Sequence, residues 1–300
     1  MQGYFGRWAF VQDAVLGYRH APGFRGFAYR RGDFEIPVII SQNGLRQADF
    51  EAQMQYPARL LLLGDSFTFG LGVEEDSVFA TLIQNELNPK GLGVINGGQS
   101  GYGVTQEARL GISLAPAVKP AMVILCLFPN NDVSGDYYQD YKKIEVRYGC
   151  RLFKTRWLPM PAVDFLRTHS YSWMIIAAAF ARAGMERPRE TLENLANNGM
   201  ERALQPTLEA LAALHNYCRE KNIKLGVMMI PAAQGKNIFN DPLKRALSAK
   251  GISVLELDKK KFRRGDCFPH DAHWNARGHA KAAKQLAPFC LELFDNEKIN

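Results

Sequence analysis

Several short polar clusters in this 300-residue chain contain the side chains that an acyl-transfer reaction needs. One of them, Gly64-Asp65-Ser66, follows four consecutive leucines, and a serine at the end of such a run could act as a nucleophile. Another, HDAHWN, contains His273, which could be the base for that hydroxyl, and Asp271, which could orient the imidazole and balance its charge. We therefore predict that Ser66, His273 and Asp271 form a catalytic triad.

The oxyanion of a tetrahedral intermediate needs hydrogen-bond donors, and two further clusters could supply them. The sequence NGGQSGYG contains Gly101, where the lack of a side chain lets the backbone approach a substrate. The sequence PNNDV contains Asn131, whose amide donates a hydrogen bond without adding charge. Together with the backbone N–H of Ser66, these two residues are the predicted oxyanion hole.

Each of these clusters, taken alone, is more typical of an ordinary turn than of a catalytic site. A group formed by Cys267, His270, Asp271 and His273 could instead bind a metal ion, although its spacing is not that of a familiar metal site. The order of the four clusters, each after a different strand-like segment, favours the catalytic interpretation.

Two other aspartates and two other histidines have simpler interpretations. Asp65 and Asp132 are expected to brace loops by accepting backbone N–H bonds. His279 is expected to pack or cap the last helix, and His215, on an apolar helix stripe, is expected to be a core histidine.

The elements that must position these groups alternate between strand-like and helix-like patterns. Short apolar runs typical of buried strands cover 59–65, 93–96, 121–128, 224–231 and 252–258. Helical patterns cover 77–87, 105–115, 204–218, 241–251 and 275–294. Ser77 and Asp241 are the predicted N-caps of the first and fourth of these helices. This alternation predicts a three-layer α/β/α, flavodoxin-like fold with a five-stranded parallel sheet, in which chemistry collects at the carboxyl ends of the strands.

Two stretches lie outside this alternation. The sequence predicts that residues 1–57 form an N-terminal extension packed on the main domain, with a hairpin around the sequence RRGDFEIPVIISQNGLR. The main domain, 58–300, contains an insert, 133–200, that is rich in tyrosine and tryptophan. Those aromatic residues could stack on a sugar or form a small core of their own, and the sequence favours neither alternative.

Charge and composition narrow the classes of partner. A formal net charge of +7 and a pI of about 9.1 favour anionic partners. The one dense basic run, Asp258–Asp266, is more typical of a solvated loop than of a nucleic-acid interface, since no recognition motif accompanies it. No apolar run has the length of a membrane span, and Trp173–Ala181 suits a buried helix.

The compartment depends on the native start of the chain, and the sequence indicates no oligomeric state. If Met1 is native, a soluble cytoplasmic protein is expected; if a leader or anchor has been removed, the cell envelope or periplasm is expected.

From about Arg59 to the C-terminal helix, the chain resembles the SGNH/GDSL hydrolases. GDSFTFG resembles their first block, NGGQSGYG their second, PNNDV their third and DAHWNARGH their fifth. The resemblance implies a nucleophile at Ser66, oxyanion donors at Gly101 and Asn131, and the acid and base at Asp271 and His273. LGYRHAPG and SQNGLR also resemble the N-terminal region of bacterial members with this architecture.

Two departures from the family pattern bear on the reaction. Pro129 stands where the third block usually has glycine. Asp271 stands two residues before His273, whereas the commonest spacing is three. The resulting Asp-x-His-Trp sequence resembles the polysaccharide O-acetyltransferase branch, although some plain hydrolases share it.

The resemblance implies a serine esterase that hydrolyses a small O-acyl ester, on a carbohydrate, without a metal or organic cofactor. One alternative is a polysaccharide O-acetyltransferase that uses the same acyl-enzyme. The other is a non-catalytic carbohydrate-binding module on the same fold, which retention of Ser66, Asn131, Asp271 and His273 disfavours.

Overall fold

A computed structural model describes residues 4–153, 192–232 and 238–295 of the chain. The strands are β1 (Phe10–Asp13), β2 (Gly17–His20), β3 (Arg25–Arg30), β4 (Phe34–Ile39), β5 (Ala58–Gly64), β6 (Leu92–Asn96), β7 (Met122–Leu127), β8 (Ile144–Arg147), β9 (Cys150–Phe153), β10 (Lys224–Met229) and β11 (Ser253–Glu256). The helices are α1 (Phe50–Met54), α2 (Ser66–Phe69), α3 (Phe79–Leu82), α4 (Gln84–Leu87), α5 (Val104–Val118), α6 (Pro129–Tyr138), α7 (Leu192–Glu220), α8 (Asn240–Ser248) and α9 (Ala276–Asp295).

The central sheet has five parallel strands in the order β11-β10-β7-β5-β6. The predicted fold class is therefore confirmed. Leucines 60 to 63 of β5 are each completely buried, because successive side chains of this strand point to opposite faces and both faces are covered.

Helices cover the two faces of the sheet and produce the three layers. Leu61 and Leu63 pack in one buried cluster with apolar residues of α5, α7 and α8. Leu60 and Leu62 pack in a second cluster with apolar residues of α3 and α9. A helix on each face leaves only the ends of the strands open, so residues just beyond β5, β6 and β7 share one edge of the sheet. Among the helices of the described residues, none is both long and apolar enough to cross a membrane.

Two predicted N-caps are wrong. Ser77 lies in a short 3₁₀ turn, Glu75–Ser77, and α3 begins after Val78, which supplies no side-chain cap. Asp241 lies inside the first turn of α8, after Phe239. An aspartate there still interacts favourably with the helix dipole, which explains why it resembles a capping residue in the sequence.

The N-terminal extension forms two antiparallel hairpins, β1–β2 and β3–β4. The second overlaps the predicted hairpin but starts five residues earlier, at Arg25, and ends at Ile39, before the sequence SQNGLR. The buried side chains of both hairpins share a cluster with Phe69, Tyr102 and Leu110 of the main domain. The division between residues 57 and 58 stays a prediction. Part of the aromatic insert, 154–191, lies outside the described residues, as do the predicted helix Trp173–Ala181 and Trp157 and Tyr171, so the role of the insert also stays a prediction.

Candidate active site

Ser66 lies at the end of the central strand, as the first residue of α2. Asp65 caps this helix, because its Oδ1 accepts a hydrogen bond from Phe67 N at 2.9 Å. Gly64 makes the tight turn possible, since a Cβ on it would lie 2.1 Å from Thr68 Oγ1. Ser66 is the first residue of the helix, so its N–H has no partner within α2 and is available to an acceptor.

His273 faces Ser66 across the carboxyl edge of the sheet. Its Nε2 lies 2.6 Å from Ser66 Oγ, a hydrogen-bonding distance between residues 207 positions apart. Its Nδ1 is hydrogen-bonded to Asp271 Oδ1, which also accepts from His273 N at 2.9 Å. The three residues thus form a continuous relay in the predicted order, and the geometry permits proton transfer from the hydroxyl to the imidazole.

Asp271 is suited to stay ionised at this position. Burial acts to raise the pKa of its carboxyl group, but the hydrogen bond and charge of His273 and the hydroxyl of Tyr4 outweigh burial and hold that pKa well below its usual value. The carboxylate can therefore balance an imidazolium on His273 throughout the neutral range.

Asn131 and the residue before the nucleophile are hydrogen-bonded. Asn131 lies in the first turn of α6, and its Nδ2 donates to Asp65 Oδ2 at 3.2 Å. Asp132 Oδ2 accepts from Phe128 N at 2.6 Å, so Asp65 and Asp132 brace backbone as predicted. Pro129 occupies the first helical position, where its missing N–H costs nothing.

Gly101 lies in the loop after β6, with a φ of +78° that favours glycine. This loop is joined to the end of β5, because Gln99 N donates to Gly64 O at 3.0 Å. Two side chains that sequence patterns did not identify surround it. Tyr18 Oη donates to Gly101 O at 2.8 Å, and a Cβ on Gly101 would lie 2.7 Å from Arg151 Nη1.

The three other histidines that the sequence analysis considered lie outside the relay. His270 is exposed, and its Nδ1 lies 3.1 Å from Asp33 Oδ1. His279 packs as predicted: it is buried, its ring stacks on Phe79, and its Nδ1 accepts from Phe79 N at 3.3 Å. The prediction that His215 is a core residue is wrong, because this side chain, on α7, is only partly buried.

Four carboxyl groups are buried beside the nucleophile turn, and sequence patterns did not identify them as a group. Burial raises the pKa of Asp65 to about 6, and it also raises the pKa values of Glu107, Asp132 and Asp136. Neither carboxyl oxygen of Glu107 has a hydrogen-bond partner among the described residues. A buried carboxylate without a partner is costly, so this environment favours the protonated form of Glu107.

We expect Glu107→Gln to stabilise the protein increasingly as pH rises. Burial makes the pKa of Glu107 higher in the folded state than in the unfolded state. The contribution of Glu107 to the free energy of unfolding is therefore fully present below the unfolded-state pKa. As the pH rises from there through the folded-state pKa, this contribution is lost, by at most about 1.4 kcal/mol per pH unit. The difference in Tm between variant and wild type should therefore be small at pH 4.5 and grow toward pH 8.

Glu86→Gln is the matched control for this experiment, because Glu86 is an exposed glutamate on α4. Its Tm should follow the wild-type curve at every pH. A constant Tm difference between Glu107→Gln and wild type would contradict the assignment of a buried, protonated Glu107.

No protein-family model and no curated protein matches this chain. Among solved structures, it is similar to TesA, with 15% identity and a TM-score of 0.48 over 78% of this chain and 99% of that one. It is also similar to the acetyl xylan esterase AlAXEase, with 15% identity and a TM-score of 0.46 over 77% of this chain and 98% of that one. A GDSL-like lipase from Bacteroides thetaiotaomicron has 11% identity and a TM-score of 0.42 over 81% of this chain and 90% of that one. At these identities and TM-scores the likeness is loose, and the chemistry proposed below depends on the geometry of this chain's own residues.

Proposed function

We propose that this chain is a serine esterase of the SGNH/GDSL type that hydrolyses a short-chain O-acyl ester carried by a carbohydrate. The observation that carries the proposal is the 2.6 Å separation of Ser66 Oγ and His273 Nε2, with Asp271 on the other ring nitrogen. A serine hydroxyl is a weak nucleophile until such a base removes its proton.

The reaction proceeds in two halves. Ser66 Oγ attacks the acyl carbonyl while His273 Nε2 takes the hydroxyl proton, and the tetrahedral intermediate collapses when the same proton passes to the departing alcohol oxygen. Water then attacks the acyl group on Ser66 and gives a proton to His273. Collapse of the second intermediate returns that proton to Ser66 Oγ and releases the carboxylic acid.

The oxyanion donors in this proposal are the N–H of Ser66, the N–H of Gly101 and the side-chain amide of Asn131. Two carboxyl groups hold the third donor, because Asn131 Nδ2 donates to Asp65 Oδ2 at 3.2 Å and to Asp132 Oδ1 at 3.4 Å. In this proposal the substrate oxyanion replaces Asp132 Oδ1, the more distant of the two acceptors. Donors that are already oriented stabilise the developing charge without reorganisation.

Asn131→Ala is expected to slow acylation of Ser66 by about 10²- to 10³-fold, because one oxyanion donor is lost. KM should change far less, since the charge develops only in the transition state. Steady-state and burst kinetics on 4-nitrophenyl acetate would measure both.

Asn130→Ala is the matched control and should be much milder. A larger loss for Asn130→Ala than for Asn131→Ala would show that the register of the donor along PNND is displaced by one residue.

The transferase alternative differs only in the acceptor, a sugar hydroxyl in place of water. Trp274, the last residue of the Asp-x-His-Trp sequence, is buried, and its ring contacts Phe67 and Phe262. Its ring is therefore engaged in core packing, so the Asp-x-His-Trp sequence alone does not favour transfer over hydrolysis.

The proposal is tested by intact mass after treatment with a fluorophosphonate, together with hydrolysis of 4-nitrophenyl acetate, butyrate and octanoate. We expect one phosphonyl adduct on Ser66 and a rate that falls with acyl length. If the protein forms no adduct and hydrolyses none of these esters, the binding-module alternative is favoured. Incubation of acetyl donor with an acceptor oligosaccharide, followed by mass analysis, separates transfer from hydrolysis.

A further inference from the structure

The N-terminal extension contacts the acid of the relay directly. Tyr4 Oη donates to Asp271 Oδ2 at 2.7 Å, across 267 positions of sequence. The other oxygen, Oδ1, is hydrogen-bonded by His273 through its ring and its backbone N–H. The carboxylate is thus fixed from both sides, with Oδ1 directed at the imidazole and Oδ2 directed at the phenol.

Tyr4 is itself fixed by the β3–β4 hairpin. Its carbonyl accepts from Tyr29 N at 2.8 Å, and its ring stacks on Phe34 with centroids 6.0 Å apart. The same ring meets His273 edge-on, with centroids 5.9 Å apart. The phenol therefore contacts both the acid and the base of the relay.

The turn of this hairpin also binds the loop that carries Asp271. Arg30 Nη2 donates to His270 O at 2.8 Å, and His270 N donates to Asp33 Oδ1 at 3.0 Å. Arg30 Nε lies 3.8 Å from Asp271 Oδ2, which adds a positive charge on the side away from His273. The extension thus contacts both the backbone and the carboxylate of this loop.

We propose that Tyr4 is a positioning residue, which holds the Asp271 carboxylate in the orientation that His273 requires and makes the N-terminal extension part of the catalytic unit. This inference depends on the proposed esterase function. Without the phenol, the one remaining contact of Oδ2 among the described residues is Arg30 Nε at 3.8 Å, and the carboxylate can rotate away from the imidazole.

Tyr4→Phe removes the hydroxyl and keeps the ring on Phe34. We expect kcat to fall about 10- to 100-fold, the range that a hydrogen bond to a charged group represents, with KM nearly unchanged. The rate of fluorophosphonate labelling of Ser66 should fall by a similar factor, and the low-field proton resonance of His273 Nδ1–H should shift or broaden.

Tyr29→Phe is the matched control, because Tyr29 is a half-exposed tyrosine on the same hairpin. It should leave kcat, labelling and the resonance unchanged. Circular dichroism and thermal unfolding of both variants check that the fold is retained.

A double-mutant cycle separates positioning from a general structural effect. In an Asp271→Asn background, Tyr4→Phe should cost less than about 2-fold, because the group that it orients is gone. Equal losses in both backgrounds, or a wild-type kcat for Tyr4→Phe, would overturn the inference. Wild-type protein that neither hydrolyses esters nor reacts with the fluorophosphonate would instead overturn the proposed function.

Discussion

Ser66→Ala is expected to abolish ester hydrolysis, a loss on the order of 10⁶ in kcat, because the acyl-enzyme can no longer form. The fold should be retained, since the turn is capped by the carboxylate of Asp65 and closed by Gly70, whose φ of +79° ends α2. The Ser66 hydroxyl contributes a hydrogen bond to His273 and little packing. Turnover of 4-nitrophenyl acetate, fluorophosphonate labelling and the Tm measure these two outcomes separately.

Ser248→Ala, at an exposed position at the end of α8, is the control and should behave as wild type in all three measurements. A folded Ser66→Ala protein with wild-type turnover would refute the mechanism, since no other nucleophile is proposed. A residual rate of roughly 10³- to 10⁴-fold above uncatalysed hydrolysis is compatible with the mechanism, because the oxyanion donors and the binding surface remain.

Most of the sheet could be predicted from the sequence because β5, β6, β7 and β10 are buried on both faces, whereas the edge strand β11 is only partly covered. Leu60–Leu63 and Met122–Leu127 must be apolar at every position, so a continuous run marks each strand to within one or two residues. Helix starts are less well specified. The polar residues Ser77 and Asp241 resemble N-caps in sequence. The observed N-cap positions are Val78, one residue after Ser77, and Phe239, two residues before Asp241, so packing rather than a capping side chain determines where these helices begin.

The relay was predictable for a related reason. Because its groups follow strands of one parallel sheet, the carboxyl ends of those strands bring Ser66, His273 and Asp271 to one edge. Two groups that lie close to the relay or to the nucleophile turn were not predictable in the same way. Tyr4 and Glu107 occupy no recognisable motif, and only the packing of the extension and of α5 places them beside the relay and the nucleophile turn.

The shape of the relay also determines what loss of the carboxylate should do. Asp271 Oδ1 accepts from His273 Nδ1, so this ring nitrogen carries hydrogen and Nε2 is left as the acceptor for the Ser66 hydroxyl. An asparagine at 271 has a similar shape, but its amide can present hydrogen to Nδ1 and favour the wrong tautomer. It also removes the negative charge that stabilises the imidazolium.

Asp271→Asn is therefore expected to lower kcat by up to ~10⁴ while KM and the fold change little. His270→Ala, one residue away, is the matched control: its ring faces Asp33, so its loss should be modest. The metal-site alternative predicts that His270→Ala and His273→Ala are equally damaging and that a chelator removes activity. Kinetics of the three variants with and without chelator would distinguish the two, and a near-wild-type Asp271→Asn enzyme would exclude Asp271 as the acid of the relay.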